Sequence, residues 1–458
     1  MRISELEGAN IALWGWGREG RAAHAALRRR LPGQAMTVLC GSDEAASVAM
    51  LADSGVSVES DITPERLAGF DIVIKSPGIS PYRSPAAEAL ALGARFTSGT
   101  ALWFAENPEA RTLCITGSKG KSTASALAAH LLRAAGLRTA LAGNIGLPLL
   151  ELLDAEPAAD AWVFELSSFQ TGQAWRPDVA VVLNLFAEHL DWHGSDLRYF
   201  ADKLALITRC QPGVAVLNAA DARLAALNAE DRDIRWFNRA DGWHLRGELL
   251  YCGDREVLDL TPLPLPGRHN RINVCAALSA VEALGIDALA LAPEVLRFAP
   301  LPNRLQRLGE RDGVTFINDS IATTPESSIA ALDSLADQRV AIILGGYERG
   351  VDWQRFVDRV AQRAPALAIT QGQNGPRIHD MLMPLAGQGR LHLVQAEGIE
   401  QAVEIGRAAL AGGGVLLLSP GAPSFPRYRD YVERGRHFAQ LCGFDPDEIS
   451  AIPGLGIA

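Results

Sequence analysis

The segment Thr112-Leu-Cys-Ile-Thr-Gly-Ser-Lys-Gly-Lys-Ser-Thr123 constrains the fold more than any other part of this chain. A short apolar run, Leu113 to Ile115, enters a glycine loop that opens onto a helix expected to begin near Lys121. Strand, glycine turn and helix N-terminus in that order aim backbone N–H groups and the positive end of a helix at one point, which suits a polyphosphate. In such a loop Thr116, Gly117, Ser118, Lys119, Gly120 and Thr123 line the phosphates, Lys121 reaches the outer ones, and the Ser122 hydroxyl holds Mg²⁺. The spacing is a shortened form of G-x-x-x-x-G-K-[ST], because Ile115 stands where the first glycine would be. A Gly-Lys-Ser triplet by itself also fits an ordinary strand-to-helix turn.

Apolar runs alternate with helical-period segments along the 458 residues, the pattern of parallel α/β layers, and the length suits about three domains. We expect an α/β protein with a small Rossmann-like domain over 1–105, a central P-loop domain over 106–301 and a C-terminal Rossmann-like domain over 302–458. In the first, a strand Asn10 to Trp14 leads into Gly15-Trp-Gly-Arg-Glu-Gly20, and strands are expected at Met36 to Cys40 and Asp71 to Lys75. Gly15, Gly17 and Gly20 satisfy Gly-x-Gly-x-x-Gly, a weak signal alone. No clear ribose-binding acid closes the second strand, where Cys40-Gly41 stands with Asp43 slightly later, which weakens a dinucleotide reading and leaves a mononucleotide or nucleotide-sugar ligand open.

In the central segment, strands are expected at Thr139 to Ala142, Ala161 to Leu166 and Val179 to Leu183, with helices at Lys121 to Ala135, Ser195 to Arg209 and Asn270 to Leu284. Residues Arg235 to Leu260 look irregular, with room for a small antiparallel insertion. The third segment alternates again, with strands at Val314 to Ile317, Val340 to Leu344, Ala366 to Thr370, Leu391 to Val394 and Val415 to Leu418.

The net charge of −10 argues against a nucleic-acid partner, and no apolar run reaches the ~18 residues that span a bilayer. Six scattered cysteines without a C-x-x-C pair, and a start without a long apolar segment, fit a reducing cytoplasm.

Candidate chemistry gathers after the central strands. Glu165 ends one strand and can reach the same Mg²⁺ as Ser122; the plain alternative is a helix N-terminal acid. Glu188-His189-Leu-Asp191-Trp-His193 follows another strand, with His189 the candidate for a second Mg²⁺; the spacing matches no common zinc pattern. Lys203, one turn beyond Tyr199, reads by itself as a solvated helix lysine. His269, Asn270 and Asn273 sit where a turn enters a helix, so the asparagines either read an adenine edge or cap the helix. Arg304 and Asp319 offer a cation and an anion for ATP phosphate and ribose, or a structural ion pair. The loops Gly345 to Gly350 and Ser419 to Phe425 lie beyond strand ends, where doubly wound sheets bind ligands.

Taken in order, Thr116-Gly-Ser-Lys-Gly-Lys-Ser122, Gly143-Asn-Ile-Gly146, Glu165-Leu-Ser-Ser-Phe-Gln170, the His189 segment, Pro266-Gly-x-His-Asn270 with Asn273, Arg304, Asn318-Asp-Ser320 and Ser419-Pro-x-x-x-Ser-Phe425 resemble the Mur ligases of peptidoglycan synthesis across nearly the whole chain. The pattern is most similar to members that add glutamate to UDP-N-acetylmuramoyl-L-alanine. The resemblance implies a reaction in which ATP phosphorylates the substrate carboxylate and an amino acid attacks the acyl phosphate. It implies two Mg²⁺ ions, one on Ser122 and Glu165, the other on His189 and a carbamylated Lys203, with Tyr199-x-x-x-Lys203 matching that lysine's setting. It places Lys121 and Asn144 at the catalytic centre, and His269, Asn270, Asn273, Arg304 and Asp319 at ATP. It assigns Gly15, Gly17, Arg18, Gly20, Ser76, Pro77 and Gly78 to the uridine diphosphate, and Thr323, Arg349, Ser424 and Tyr431 to the acceptor amino acid. A monomer is expected.

Departures from the family pattern cluster at the acceptor end: Ile321 replaces a lysine, Asn303 and Gln306 replace a histidine and a glutamate, Arg349 a lysine and Tyr431 a phenylalanine; separately, Glu188 replaces an aspartate beside His189. Losing a cation at 321 must change how an acidic amino acid is held. The changes look like the variant that adds L-glutamate, with the D-glutamate enzyme as the alternative. Folylpolyglutamate synthase shares the ATPase chemistry but lacks the N-terminal nucleotide-sugar domain. A nucleotide-gated binding protein without catalysis is disfavoured because Lys121, Glu165 and His189 are kept together.

Overall fold

Each near-continuous apolar run is a strand buried on both faces, as parallel sheets require. The computed structural model describes residues 1–51, 53–227 and 232–458. Among these, the backbone divides into two compact units: Met1–Pro262 with Ile272–Phe298 and Gly454–Ala458, and Leu263–Arg271 with Ala299–Pro453.

The first unit holds two parallel sheets. One has the order Val56–Glu59, Met36–Leu39, Ile11–Trp14, Ile72–Lys75, Phe96–Thr97. The chain reverses its direction of travel between Ile11–Trp14 and Ile72–Lys75, so the loops after these two strands lie side by side at the topological switch point. Those loops are Gly15–Gly20 and Ser76–Gly78.

The other sheet has the order Ile234–Phe237, Val214–Asn218, Val179–Val182, Thr112–Thr116, Ala161–Glu165, Thr139–Gly143, Gly456–Ile457. All its neighbours are parallel except the last pair. Thr112–Thr116 lies between Val179–Val182 and Ala161–Glu165, so the phosphate loop, Glu165 and the His189 segment all leave the same sheet edge. A separate antiparallel sheet, Trp243–Arg246, Leu249–Cys252 and Arg255–Asp259, forms within the stretch expected to hold an insertion. Part of that stretch, Ile234–Phe237, instead extends the parallel sheet.

The second unit carries a six-stranded sheet in the order Gln306–Arg311, Val314–Asn318, Gly414–Leu418, Val340–Leu344, Leu367–Thr370, Leu393–Gln395. Only the first pair is antiparallel. Its three central strands release Asp319, Ser419 and Gly345 at one edge. Among the described residues no helix is long and apolar enough to cross a membrane.

Candidate active site around the phosphate loop

The helix after the loop runs Lys121–Ala134, and Gly120 precedes it at φ +86. A Cβ there would lie 2.6 Å from the Asn273 side-chain oxygen, so both the left-handed backbone and the close approach of Asn273 require glycine. The Lys121 ammonium curls back over the loop, donating to the carbonyls of Gly117 (2.9 Å) and Ser118 (3.0 Å). Ser122 donates its hydroxyl to Glu165 Oε2 at 2.6 Å, and Asn144 Nδ2 donates to Glu165 Oε1 at 2.7 Å. Glu165 is 1% exposed and no α-helix begins after it, which removes the helix-cap alternative. Ser122, Glu165 and Asn144 thus form one polar cluster, with Lys121 adjacent to Ser122 in the chain.

Other loop residues hold the loop in shape. The Thr116 hydroxyl donates to Leu166 O, and the Ser118 hydroxyl meets the Tyr199 hydroxyl at 2.7 Å and Phe186 O at 2.8 Å. Lys119 pairs with Glu188, and its backbone N–H donates to Asn184 Oδ1. Thr123 is buried on the helix.

Lys203 is not a solvated helix lysine. It is 2% exposed, donates to Gly117 O at 3.0 Å, and lies 5.1 Å over the Tyr199 ring. Burial, and after it the charge of Lys121, holds its ammonium well below the usual lysine range. A neutral amine is the form that adds to carbon dioxide.

His189 adopts φ 54, a left-handed conformation that a non-glycine residue rarely takes without a reason. Desolvation by the surrounding chain lowers its pKa, with Glu188 opposing and Lys121 assisting, which favours the neutral imidazole that ligates metals. The second histidine of the segment behaves differently. His193 is fully buried, with Nδ1 2.7 Å from Asp202 Oδ2 and Nε2 2.9 Å from the Ser168 hydroxyl.

Among the described residues no three of His, Cys, Asp and Glu are grouped to hold a metal. Mg²⁺ does not need such a group, since it is usually bound by one or two carboxylates plus phosphates and water. Glu165 and Ser122 are hard oxygen donors 2.6 Å apart and fit that ion. Lys203 fits a second ion only after it acquires an oxygen donor.

In the first sheet, Gly15 has φ +94, and a Cβ on it would lie 2.8 Å from the Ser76 hydroxyl. A Cβ on Gly20 would lie 2.0 Å from Gly15 O, while one on Gly17 or Gly78 meets nothing within 4 Å. Packing alone therefore explains two of the three glycines in the motif but not Gly17. Arg18 donates to Gly146 O, and Pro77 O accepts from the Trp192 indole.

In the second unit, Asp319 accepts from the Ser419 hydroxyl at 2.7 Å and from Leu305 N–H at 3.2 Å. Burial pushes its carboxyl up to about 7, against those two hydrogen bonds and the charges of Arg304 and Arg434. Arg434, which sequence reasoning passed over, is 2% exposed and donates to Ser320 O, the Ser320 hydroxyl and Ala422 O. It joins the loops after Val314–Asn318 and Gly414–Leu418. Asn303 accepts from Asn318 Nδ2, and its N–H donates to Gln306 Oε1, so two residues that depart from the family pattern support each other. Arg349 is exposed, Thr323 and Tyr431 are half-buried, and Ser424 is buried. His269 packs beside Gly267, and Asn270 Nδ2 donates to Pro266 O, a turn-forming role.

Residues 115–281 match the Mur ligase middle domain, and residues 303–421 match the glutamate ligase domain of Mur ligases. The chain is 58% identical over 467 aligned residues to the UDP-N-acetylmuramoyl-L-alanine–L-glutamate ligase of Xanthomonas campestris, covering 100% of both. It is 57% identical over 469 to the ligase of the same name from Xylella fastidiosa, again covering 100% of both. Among solved structures, UDP-N-acetylmuramate–alanine ligase from Thermotoga maritima shares the fold. That likeness has a TM-score of 0.60 at 17% identity and covers 95% of this chain and 99% of that one.

Proposed function

The chain belongs to the Mur ligase family, and on that premise we propose that it joins L-glutamate to UDP-N-acetylmuramoyl-L-alanine, using ATP, in cytoplasmic peptidoglycan precursor synthesis. The observation that carries this reading is the Ser122–Glu165–Asn144 cluster next to Lys121 on the phosphate loop, in a chain so close over its full length to ligases of that name. In the reaction, an oxygen of the alanyl carboxylate attacks the γ-phosphorus, the bond to the β-phosphate oxygen breaks, and ADP leaves. The glutamate amine then attacks the acyl carbon, the C–O bond to phosphate breaks, and the nitrogen gives up a proton.

Two anions must meet for the first step, so cations aligned with the phosphates supply much of the stabilisation. Lys121 is assigned to the outer phosphates, leaving its two loop carbonyls when they bind. Ser122 and Glu165 are assigned to one Mg²⁺, and His189 with carbamylated Lys203 to another. Bound there, Mg²⁺ neutralises phosphate oxygens and the charge that develops on them. Asn144 keeps Glu165 oriented. Gly15, Gly17, Arg18, Gly20, Ser76, Pro77 and Gly78 are assigned to the uridine diphosphate. In the second unit, His269, Asn270, Arg304 and Asp319 are assigned to ATP, and Thr323, Arg349, Ser424 and Tyr431 to glutamate; Asn273 of the first unit serves ATP through the loop it supports. A monomer suffices for these assignments.

The test is kcat/KM with ATP, the nucleotide precursor and each enantiomer of glutamate. The enantiomers carry the same groups, so selectivity depends on where the amine falls, and a misplacement of about 1 Å costs ~10²-fold in rate. We expect L-glutamate to lead by about that factor. Equal use of D-glutamate would remove the acceptor assignment, and no phosphate release with either would remove the ligase assignment.

A further inference from the structure

The loop that follows Ser76-Pro77-Gly78 does not end in solvent. Tyr82 donates its hydroxyl to Asp202 Oδ1 at 2.6 Å. The other oxygen of Asp202 accepts from His193 Nδ1 at 2.7 Å, and His193 Nε2 faces the Ser168 hydroxyl, three residues beyond Glu165. Asp202 immediately precedes Lys203 on the helix Asp196–Thr208, and its backbone carbonyl accepts from Thr171.

A parallel set of contacts runs through Trp192. Its indole N–H donates to Pro77 O, its carbonyl accepts from Ser80 at 2.6 Å, and its ring stacks on Phe169 at 4.4 Å. Phe169 in turn meets the His189 ring edge-on at 5.3 Å. Lys75, buried at the end of its strand, donates to Ser76 O and Ile79 O and so fixes the base of the same loop. One loop, assigned above to the nucleotide substrate, therefore touches the supports of Lys203, Glu165 and His189.

We propose that Asp202 is a positioning residue for the ligase reaction: through Tyr82 and His193 it couples the seating of the Ser76–Tyr82 loop to the placement of Lys203. The inference rests on the ligase reading and adds a route by which the nucleotide substrate organises the catalytic side chains. A structural ion pair would need only two partners. Asp202 instead has hydrogen-bonded partners from two segments that follow strands of different sheets, Tyr82 and His193, and a backbone bond to Thr171 in a third. Charge-assisted bonds of this kind are the strong ones.

Steady-state kinetics of wild type, Tyr82→Phe, Asp202→Ala, Asp202→Asn and the Tyr82→Phe/Asp202→Ala double variant test it, with KM resolved for each substrate and kcat followed against bicarbonate. Tyr82→Phe removes one hydroxyl from a partly exposed ring and decides the matter even if Asp202→Ala fails to fold. We expect kcat in Tyr82→Phe to fall roughly tenfold, the scale of one lost hydrogen bond to a charged group. KM for the nucleotide precursor should rise while that for ATP stays put, and added bicarbonate should recover part of kcat in the variant but not change wild type. The double variant should be no worse than Asp202→Ala, because both break one chain of contacts, and Asp202→Asn should retain more activity than Asp202→Ala. Unchanged kcat in Tyr82→Phe, or additive losses in the double variant, would overturn the coupling and leave Asp202 a stabilising contact. A wild-type protein that forms no product would instead overturn the ligase reading.

Discussion

A lysine almost wholly removed from water keeps an ordinary ammonium only when an anion compensates it. The hydrogen bonds of Lys203 go to Gly117 O and Thr116 Oγ1, both neutral, and the charge of Lys121 adds to burial in lowering its pKa, which the carboxylates of Glu188 and Glu165 oppose only in part. Such a site favours the neutral amine, and a carbamate there turns a disfavoured cation into an oxygen donor for a hard metal ion. Lys203→Ala should lower kcat by about 10²-fold or more, the scale of losing one preorganised electrostatic group. Formate or acetate should restore part of that activity, and the melting midpoint should change little, since the lost packing is offset by removing a desolvated amine. Full activity in that variant would reduce Lys203 to a structural role. Sequence could not have ranked this lysine, because burial depends on what covers the helix. The same blindness separates His189 from His193: four residues apart, they read alike, yet His189 is exposed beside Phe169 and His193 is fully buried. Arg434 carried no signal at all, sitting in Glu433-Arg-Gly-Arg436 as an ordinary helix arginine.

Elements were more legible than residues where their apolar runs were uninterrupted. Ile11–Trp14, Thr112–Thr116, Ala161–Glu165 and Val340–Leu344 were readable because a strand covered on both faces has no polar position to break its pattern. Ile234–Phe237 was not, since Arg235 interrupts it at the sheet edge, and Val56–Glu59 alternates with polar residues for the same reason. Val214–Asn218 was as apolar as the others and was simply passed over. The glycine loop Gly15–Gly20 shows what spacing conceals, because its three glycines have different causes. Gly20→Ala drives a Cβ into Gly15 O at 2.0 Å and should cost roughly 1–3 kcal/mol, the usual range for overpacking. Gly17, at φ −67 with open space beside it, should accept Ala with no loss, or gain about 0.4–1 kcal/mol from the unfolded state. If Gly17 is kept free for the nucleotide, Gly17→Ala should nonetheless raise KM for the precursor and leave KM for ATP alone. Chemical denaturation alongside steady-state kinetics separates the two effects, and an unchanged precursor KM in Gly17→Ala would detach this glycine from substrate binding.

At the scale of the molecule, the chain does not fill its two units in sequence. Leu263–Arg271 belongs with the second unit although the segments on either side belong to the first, and Gly454–Ala458 returns to the first after the second is complete. The return is built from specific bonds. Gly456–Ile457 pairs antiparallel with Ala140–Leu141, and Thr139 N–H donates to Ala458 O at 2.8 Å. Arg133, on the phosphate-loop helix, donates to Gly454 O at 2.6 Å and to Thr139 O at 2.7 Å. A two-residue strand, one glycine and one isoleucine, is invisible to periodicity, so no reading of the sequence placed it in the central sheet. Its removal would uncover the edge strand Thr139–Gly143, whose unpaired backbone groups are a template for association. Deleting residues 454–458 should therefore lower the melting midpoint by roughly 4–16 °C, taking four lost bonds (Thr139 and Ala458 to each other, Arg133 to Gly454 O and Ala458 O) at about 0.5–1 kcal/mol each and about 2–4 °C per kcal/mol. It should also increase aggregation near the transition. Because the deleted segment touches the helix through Arg133 at its far end and not through Lys121 or Ser122, kcat at low temperature should stay near wild type. A truncated chain that melts like the full one would show that this strand closes the sheet without stabilising it, and a large loss of kcat would show that the tail restrains the phosphate-loop helix itself.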